Sequence, residues 1–155
     1  LSSPERRYKI ARNYTVSTKI MLPVADVFAA VVSKDLMKNY FVDGASEDLS
    51  AGSTVRWRWN HYGENLVVVK SVDVNKRIEL TIDSNQWDKT ADESYDVAVV
   101  FEFEALDEDS TRLSISEEGW KTNAEGLKAS HENCGGWMHM GTCLKAWMEH
   151  AIDLR

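Results

Sequence analysis

Between Thr54 and Glu118 the chain repeats one pattern five times, a short run of alternating apolar and polar residues closed by a turn. Thr54 to Trp59 is the clearest case, with Val55, Trp57 and Trp59 facing one way and Thr54, Arg56 and Arg58 the other. Leu66 to Val74 follows a loop at 60–65, and after Asn75-Lys76 comes Arg77 to Ile82 with Ile78, Leu80 and Ile82 on one face. Tyr95 to Ala105 carries Val97, Val99, Phe101 and Phe103 inward and Glu102 and Glu104 outward; Thr111 to Glu118 returns with Leu113 and Ile115 inward. Period-two alternation marks strands with one wet face, and the short connections imply antiparallel pairing. The apolar face of such a sheet has to be covered.

The one segment long enough to cover it is C-terminal. From Gly136 onward Trp137, Met140, Gly141, Leu144, Trp147, Met148 and Ala151 recur at helical spacing, with Lys145, Glu149 and His150 on the opposite side. Thr122 fits as N-cap of this helix with Glu125 completing a capping box. Gly126, Gly135 and Gly136 weaken its front half and predict a bend near Gly135-Gly136.

Ahead of the sheet, Tyr14 to Leu22 reads as a strand, Pro23 ends it, and Val24 to Val32 has helical spacing. Ser33 to Phe41 reads as a second short helix with Ser33 as N-cap. The sum is an α+β chain: a strand, two short helices, about five consecutive strands and one long helix. Residues 1–13 read as a polar tail and 14–155 as a single domain, a size that builds a core without staples.

Charge narrows the partners. The formal net charge of −7 disfavours nucleic acid and anionic membrane surfaces, which need a basic footprint. The one basic cluster, Arg6, Arg7, Lys9 and Arg12, reads as a solvated end. No apolar run reaches the length of a membrane span and no signal peptide is visible, although the chain begins at Leu1. Cys134 and Cys143 are nine residues apart on the predicted helix, so they point to opposite sides and do not bridge. These features predict a cytoplasmic protein.

Catalytic motifs are sparse. His131 and His139 lie eight residues apart on the helix, too far to share a metal, and no zinc spacing, phosphate loop or nucleophile elbow is present. The reading assigns no metal and no cofactor. Arg56 and Arg58 are expected to pair with Glu102 and Glu104 on the wet face. Glu117 differs: it follows Leu113 and Ile115 at period two and points inward, where burial raises a carboxyl pKa and suits it to proton transfer. It is the one catalytic candidate.

The opening Pro23-Val24-Ala25-Asp26-Val27-Phe28-Ala29-Ala30-Val31 and the closing Asn133 to Glu149, with its Gly136-Trp137 pair and Leu144-Lys145 followed by Glu149, resemble the START-like superfamily. Within it they are similar to the branch of activators of the heat-shock protein 90 ATPase. The resemblance covers roughly residues 14–153. It implies a helix-grip fold, a curved antiparallel sheet wrapped round the long C-terminal helix with a cavity between them. Members include lipid, hormone and polyketide binders, some cyclases and hydrolases. Many carry a bulky apolar residue where this chain has Gly141, and a histidine where it has Asn133.

Six tryptophans are many for this length, and such bulky rings suit the walls of a cleft. The expected ligand surface is Trp57, Trp59, Phe101, Phe103, Trp120, Trp137, Met140 and Leu144, with Gly141 leaving room. Phe41 and the polar loop 84–94 around Trp87 form its mouth. The function expected first is noncatalytic binding of a small hydrophobic or aromatic molecule. The alternatives are a small-molecule enzyme using Glu117, or a domain that docks on a chaperone or on a second copy of itself.

Overall fold

The computed structural model describes residues 12–88 and 93–155. Its strands are β1 (Tyr14–Ile20), β2 (Gly44–Ala45), β3 (Thr54–Trp59), β4 (Gly63–Asp73), β5 (Arg77–Asp83), β6 (Asp96–Asp107) and β7 (Ser110–Glu118). Its helices are α1 (Val24–Val32), α2 (Lys34–Met37) and α3 (Ala124–His150). The strands form one antiparallel sheet in the order β1-β7-β6-β5-β4-β3-β2. Each alternating run forms a strand, and β3 is typical: Val55 and Trp57 are buried while Thr54, Arg56 and Arg58 are exposed. The first strand closes the far end by pairing with the last, Tyr14 opposite Glu117 and Thr18 opposite Leu113. This is the α+β helix-grip arrangement, with two short helices after the first strand.

Seven strands about 4.8 Å apart span roughly 30 Å, and one helix is only about 10 Å across. A single helix therefore cannot cover the whole concave face. Helix α3 lies along β1 and touches β7, and α1 packs on β6 and β7. Met37, Tyr40, Val42 and Leu49 join Val55 and Val67 in the core at the other end. Between that segment and α3 an opening remains.

Several local expectations are corrected. The N-cap of α3 is Asn123, not Thr122: its side chain accepts the backbone N–H of Gly126 at 2.9 Å. The helix continues unbroken through Gly135-Gly136, where a Cβ on either residue would meet nothing within 4 Å. Arg56 pairs with Glu64 on the neighbouring strand at 3.4 Å, whereas Glu102 takes Arg12 and Glu104 takes Arg112, each at 3.0 Å. Register explains this, because β3 borders β4 and β2 and never meets β6. Lys145 and Glu149 do not face away. The Lys145 ammonium donates to the Lys19 carbonyl and to Glu149, which also accepts the Met21 N–H, so the pair ties α3 to the end of β1.

Gly141 has a different role from the one expected. A Cβ there would lie 2.6 Å from Thr18 Oγ1, so the missing side chain lets α3 approach β1 and opens no space for a ligand. Of the polar stretch 1–13, residues 1–11 lie outside those described; the Asn13 N–H continues the ladder to the Glu117 carbonyl at 2.8 Å. Both cysteines are free.

Candidate functional site

The opening between α3 and the β3–β4 hairpin is a cleft of about 650 Å³. Strand β3 supplies Trp57 and Trp59, and β4 supplies Asn65. The turn after α2 supplies Tyr40 and Phe41, and α3 presents Asn133, Gly136, Trp137, Met140 and Cys143. Trp87 closes one side. Its segment is anchored by Gln86, whose side-chain amide binds both backbone groups of Leu66 on β4, at 2.6 and 2.9 Å. Asp43, Glu132, His61, His139, Asp153 and Arg155 reach the rim.

The aromatic wall is a set of mutually braced rings. Phe41 meets Trp57 and Trp59 edge-to-face, with centroids 5.2 and 5.3 Å apart, and lies 5.8 Å from Trp137. Edge-to-face pairing sets the positive rim of one ring against the negative face of another, so such clusters hold their shape. Trp59 is fixed further by its indole N–H, which donates to the Phe41 carbonyl at 2.7 Å. Tyr40 stacks on Trp147 and donates its hydroxyl to the Ala30 carbonyl, and burial pushes its pKa far above the ordinary tyrosine value.

Behind this wall lies a buried carboxylate. Glu117 is 0% exposed. It accepts the Trp120 indole N–H at 2.6 Å, the Trp137 indole N–H at 2.8 Å and the Asn133 amide at 3.2 Å. Burial drives its pKa up, and the hydrogen bonds from these donors only partly offset that. Tyr14, opposite Glu117 on β1, is itself pushed up by burial and by the Glu117 charge. Glu117 is thus inward and perturbed, as its spacing implies. Asn133 and Trp137 stand between it and the cleft, so its bonds make it the anchor of the Trp137 ring.

The rim offers one further reactive-looking pair. The Cys143 sulfur lies 3.4 Å from His139 Nε2. Burial, and next the Asp153 charge, push the thiol pKa up, so it stays protonated and is not an activated nucleophile. Among the described residues no three His, Cys, Asp or Glu side chains are grouped to hold a metal ion. A smaller hollow of about 360 Å³ lies at the β2–β3 edge, lined by Arg56, Arg58 and Glu64. Arg56 and Glu64 there neutralise each other.

The sequence family of Activator of Hsp90 ATPase homolog 1-like proteins matches residues 21–149. The chain belongs to that family. A Staphylococcus saprophyticus protein of known structure is 23% identical over 92% of this chain and 96% of its own, with a TM-score of 0.71. The Aha1 dimer of Colwellia psychrerythraea is 18% identical over 88% of this chain and 97% of its own, with a TM-score of 0.69. A putative protein of the dynemicin biosynthetic locus is 15% identical over 88% of this chain, with a TM-score of 0.72; the match spans 47% of that protein. These likenesses show the shared fold. No curated protein matches the chain significantly.

In this family member the expected ligand residues separate into two groups. Phe41, Trp57, Trp59, Trp87, Trp137 and Met140 come together on the cleft. Phe101, Phe103, Trp120, Gly141 and Leu144 do not. Phe101 braces Trp137 from behind at 5.5 Å, and Phe103 packs edge-to-face on Phe28. Trp120 lies against Tyr95 with its N–H on Glu117, and Leu144 is fully buried in the core. The inward face of a seven-stranded sheet is longer than the cleft, so facing inward does not mean facing the ligand. Sequence reasoning missed Asn65, Tyr40 and Gly136. Asn65 sits on the buried side of β4 in phase with Val67 and Val69, and a polar residue in that phase was the available signal.

Proposed function

We propose that residues 14–155 form a domain that binds a small, largely apolar aromatic molecule in this cleft, without chemistry on it. The observation that carries the reading is the roughly 650 Å³ opening walled by Phe41, Trp57, Trp59, Trp87, Trp137 and Met140. An aromatic ligand that buries about 200 Å² gains roughly 5 kcal/mol before ordering costs. Two free cysteines fit a reducing compartment such as the cytoplasm.

Gly136 supplies the test. It lines the cleft, yet a Cβ there touches nothing within 4 Å, so Gly136→Leu fills the cleft without disturbing the fold. Displacement of an anilinonaphthalene probe is expected to weaken at least about tenfold in Gly136→Leu. Lys145→Ala, on the far side of α3, should bind as the parent does. Equal binding by all three proteins defeats the reading.

The catalytic alternative has less support, because both Glu117 oxygens are taken by donors and two side chains separate them from the cleft. Self-association has one specific observation behind it. Leu66 and Val68 are exposed on the outer face of β4, and the Colwellia psychrerythraea relative is a dimer. A second copy docking there would bury both, and sedimentation of Val68→Glu tests it: loss of a dimer supports the contact, and a parent that sediments as a monomer ends it.

A further inference from the structure

Most of the tryptophan N–H groups around the cleft are spoken for. Trp59 donates to the Phe41 carbonyl, and Trp120 and Trp137 donate to Glu117. Trp57 differs from these three. Its ring lines the cleft, the residue is 1% exposed, and its buried indole N–H has no hydrogen-bond partner among the described residues. Buried donors are almost always satisfied in folded proteins, so an orphan in a cleft wall needs a reason. Directly across the β3–β4 ladder stands Asn65. It too lines the cleft and is 6% exposed, and its side chain makes no hydrogen bond with any described residue. Opposed residues of an antiparallel pair place their Cβ atoms about 5 Å apart on one face. One residue with an unpartnered indole donor and one with a free carboxamide therefore occupy opposed positions on the face that lines the cleft.

We propose that this pair is the polar recognition point of the cleft, and that the ligand is a neutral aromatic molecule bearing a carbonyl oxygen that accepts from Trp57 Nε1–H and from the Asn65 amide. This rests on the cleft being a site for small aromatic molecules. A plain hydrocarbon would leave the buried Trp57 N–H unpaired and seal the Asn65 amide away from water, whereas a carbonyl that reaches them satisfies both. Neutrality follows from the rim, where Asp43, Glu132 and Asp153 face a single arginine, Arg155. That arginine is already engaged, by Asp153 at 2.9 Å and by the Val42 carbonyl at 2.9 Å. Among the described residues an anionic head group would meet three carboxylates there, and an arginine that is already paired.

The test uses three probes on one scaffold with the whole chain: 2-ethylnaphthalene, 2-acetylnaphthalene and 2-naphthoate. The ketone is expected to bind about tenfold or more tighter than the hydrocarbon, and 2-naphthoate more weakly than the ketone. In Asn65→Leu and in Trp57→Phe the advantage of ketone over hydrocarbon should shrink severalfold, while the hydrocarbon itself binds at least as well as to the parent. Hydrocarbon and ketone binding equally to the parent overturns the carbonyl assignment, and 2-naphthoate binding tightest overturns neutrality. Binding of none of the three defeats the cleft reading itself, a distinct failure. The comparison in the parent protein decides the question even if a variant does not fold.

Discussion

The two ends of the concave sheet face are filled in opposite ways. Beneath α3, over β1 and β7, the chain closes tightly: Gly141 lets the helix approach Thr18, and Glu117 gathers two indoles and an amide where water does not reach. Over β3 and β4 it stays open: aromatic rings brace one another around about 650 Å³, and Trp57 and Asn65 keep polar groups without partners among the described residues. Trp137 belongs to both ends, with its N–H on Glu117 and its ring in the cleft wall. The closed end thus acts as the fixture that holds the open end in shape. The indole and amide donors on Glu117 are paired at one end, and the Trp57 N–H is unpaired at the other.

The sharpest way to break this contrast is Glu117→Leu. It leaves three buried donors without an acceptor, at 1–3 kcal/mol for each, so the loss should reach roughly 3 kcal/mol or more. Urea unfolding measures it, and a loss under about 1 kcal/mol would mean that the closed end does not depend on its carboxylate. Next in size is Gly141→Ala. Helix propensity alone predicts a gain of about 1 kcal/mol, but contact with Thr18 Oγ1 should turn it into a loss of about 1–3 kcal/mol. In a Thr18→Ala background only the Cβ contact at 3.5 Å remains, an ordinary separation, and Gly141→Ala should then be neutral or stabilising. Gly136→Leu, five residues away in sequence but on the open end, should raise stability by about 0.5–1 kcal/mol. A loss there would show that the cleft wall is packed rather than open.

The smallest effect expected is pH-dependent. The folded-state pKa of Glu117 is raised above its ordinary 4.5 by burial. Its contribution is therefore fully present below pH 4.5 and is lost as pH rises through the folded value, because ionisation then costs the folded state more than the unfolded one. Glu117→Gln cannot ionise, so its stability should fall less steeply above pH 4.5 than that of the parent. Parallel curves in chemical denaturation at stepped pH would contradict the assignment.

Much of the architecture was legible in the chain because alternation is a local signal. Val55 and Trp57 inward, Arg56 and Arg58 outward, follow from period two alone, and so does the inward turn of Glu117. What lay beyond reach depends on which elements become neighbours. Arg56 finds Glu64 because β4 adjoins β3, and nothing local excludes Glu102. The inward phase of Phe103 and Leu144 is correct, yet their depth in the core is set by where α1 and α3 lie on the sheet. Gly141 is read differently once Thr18 is known to face it, a contact across more than a hundred residues. The cap moved by one residue because Thr122 and Asn123 are both good caps, and Gly126 decides between them. Its N–H meets Asn123, and a Cβ there would lie 2.1 Å from the Lys121 carbonyl oxygen.

The direct measurement of the central claim is a two-dimensional proton–nitrogen spectrum of the tryptophan indole N–H groups, recorded as 2-acetylnaphthalene is added. An open end that receives the ligand and a closed end that does not predict movement of the Trp57, Trp59 and Trp87 resonances, while Trp120, held on Glu117, stays in place. Six resonances that all stay fixed, or a shift at Trp120 as large as that at Trp57, would contradict the account.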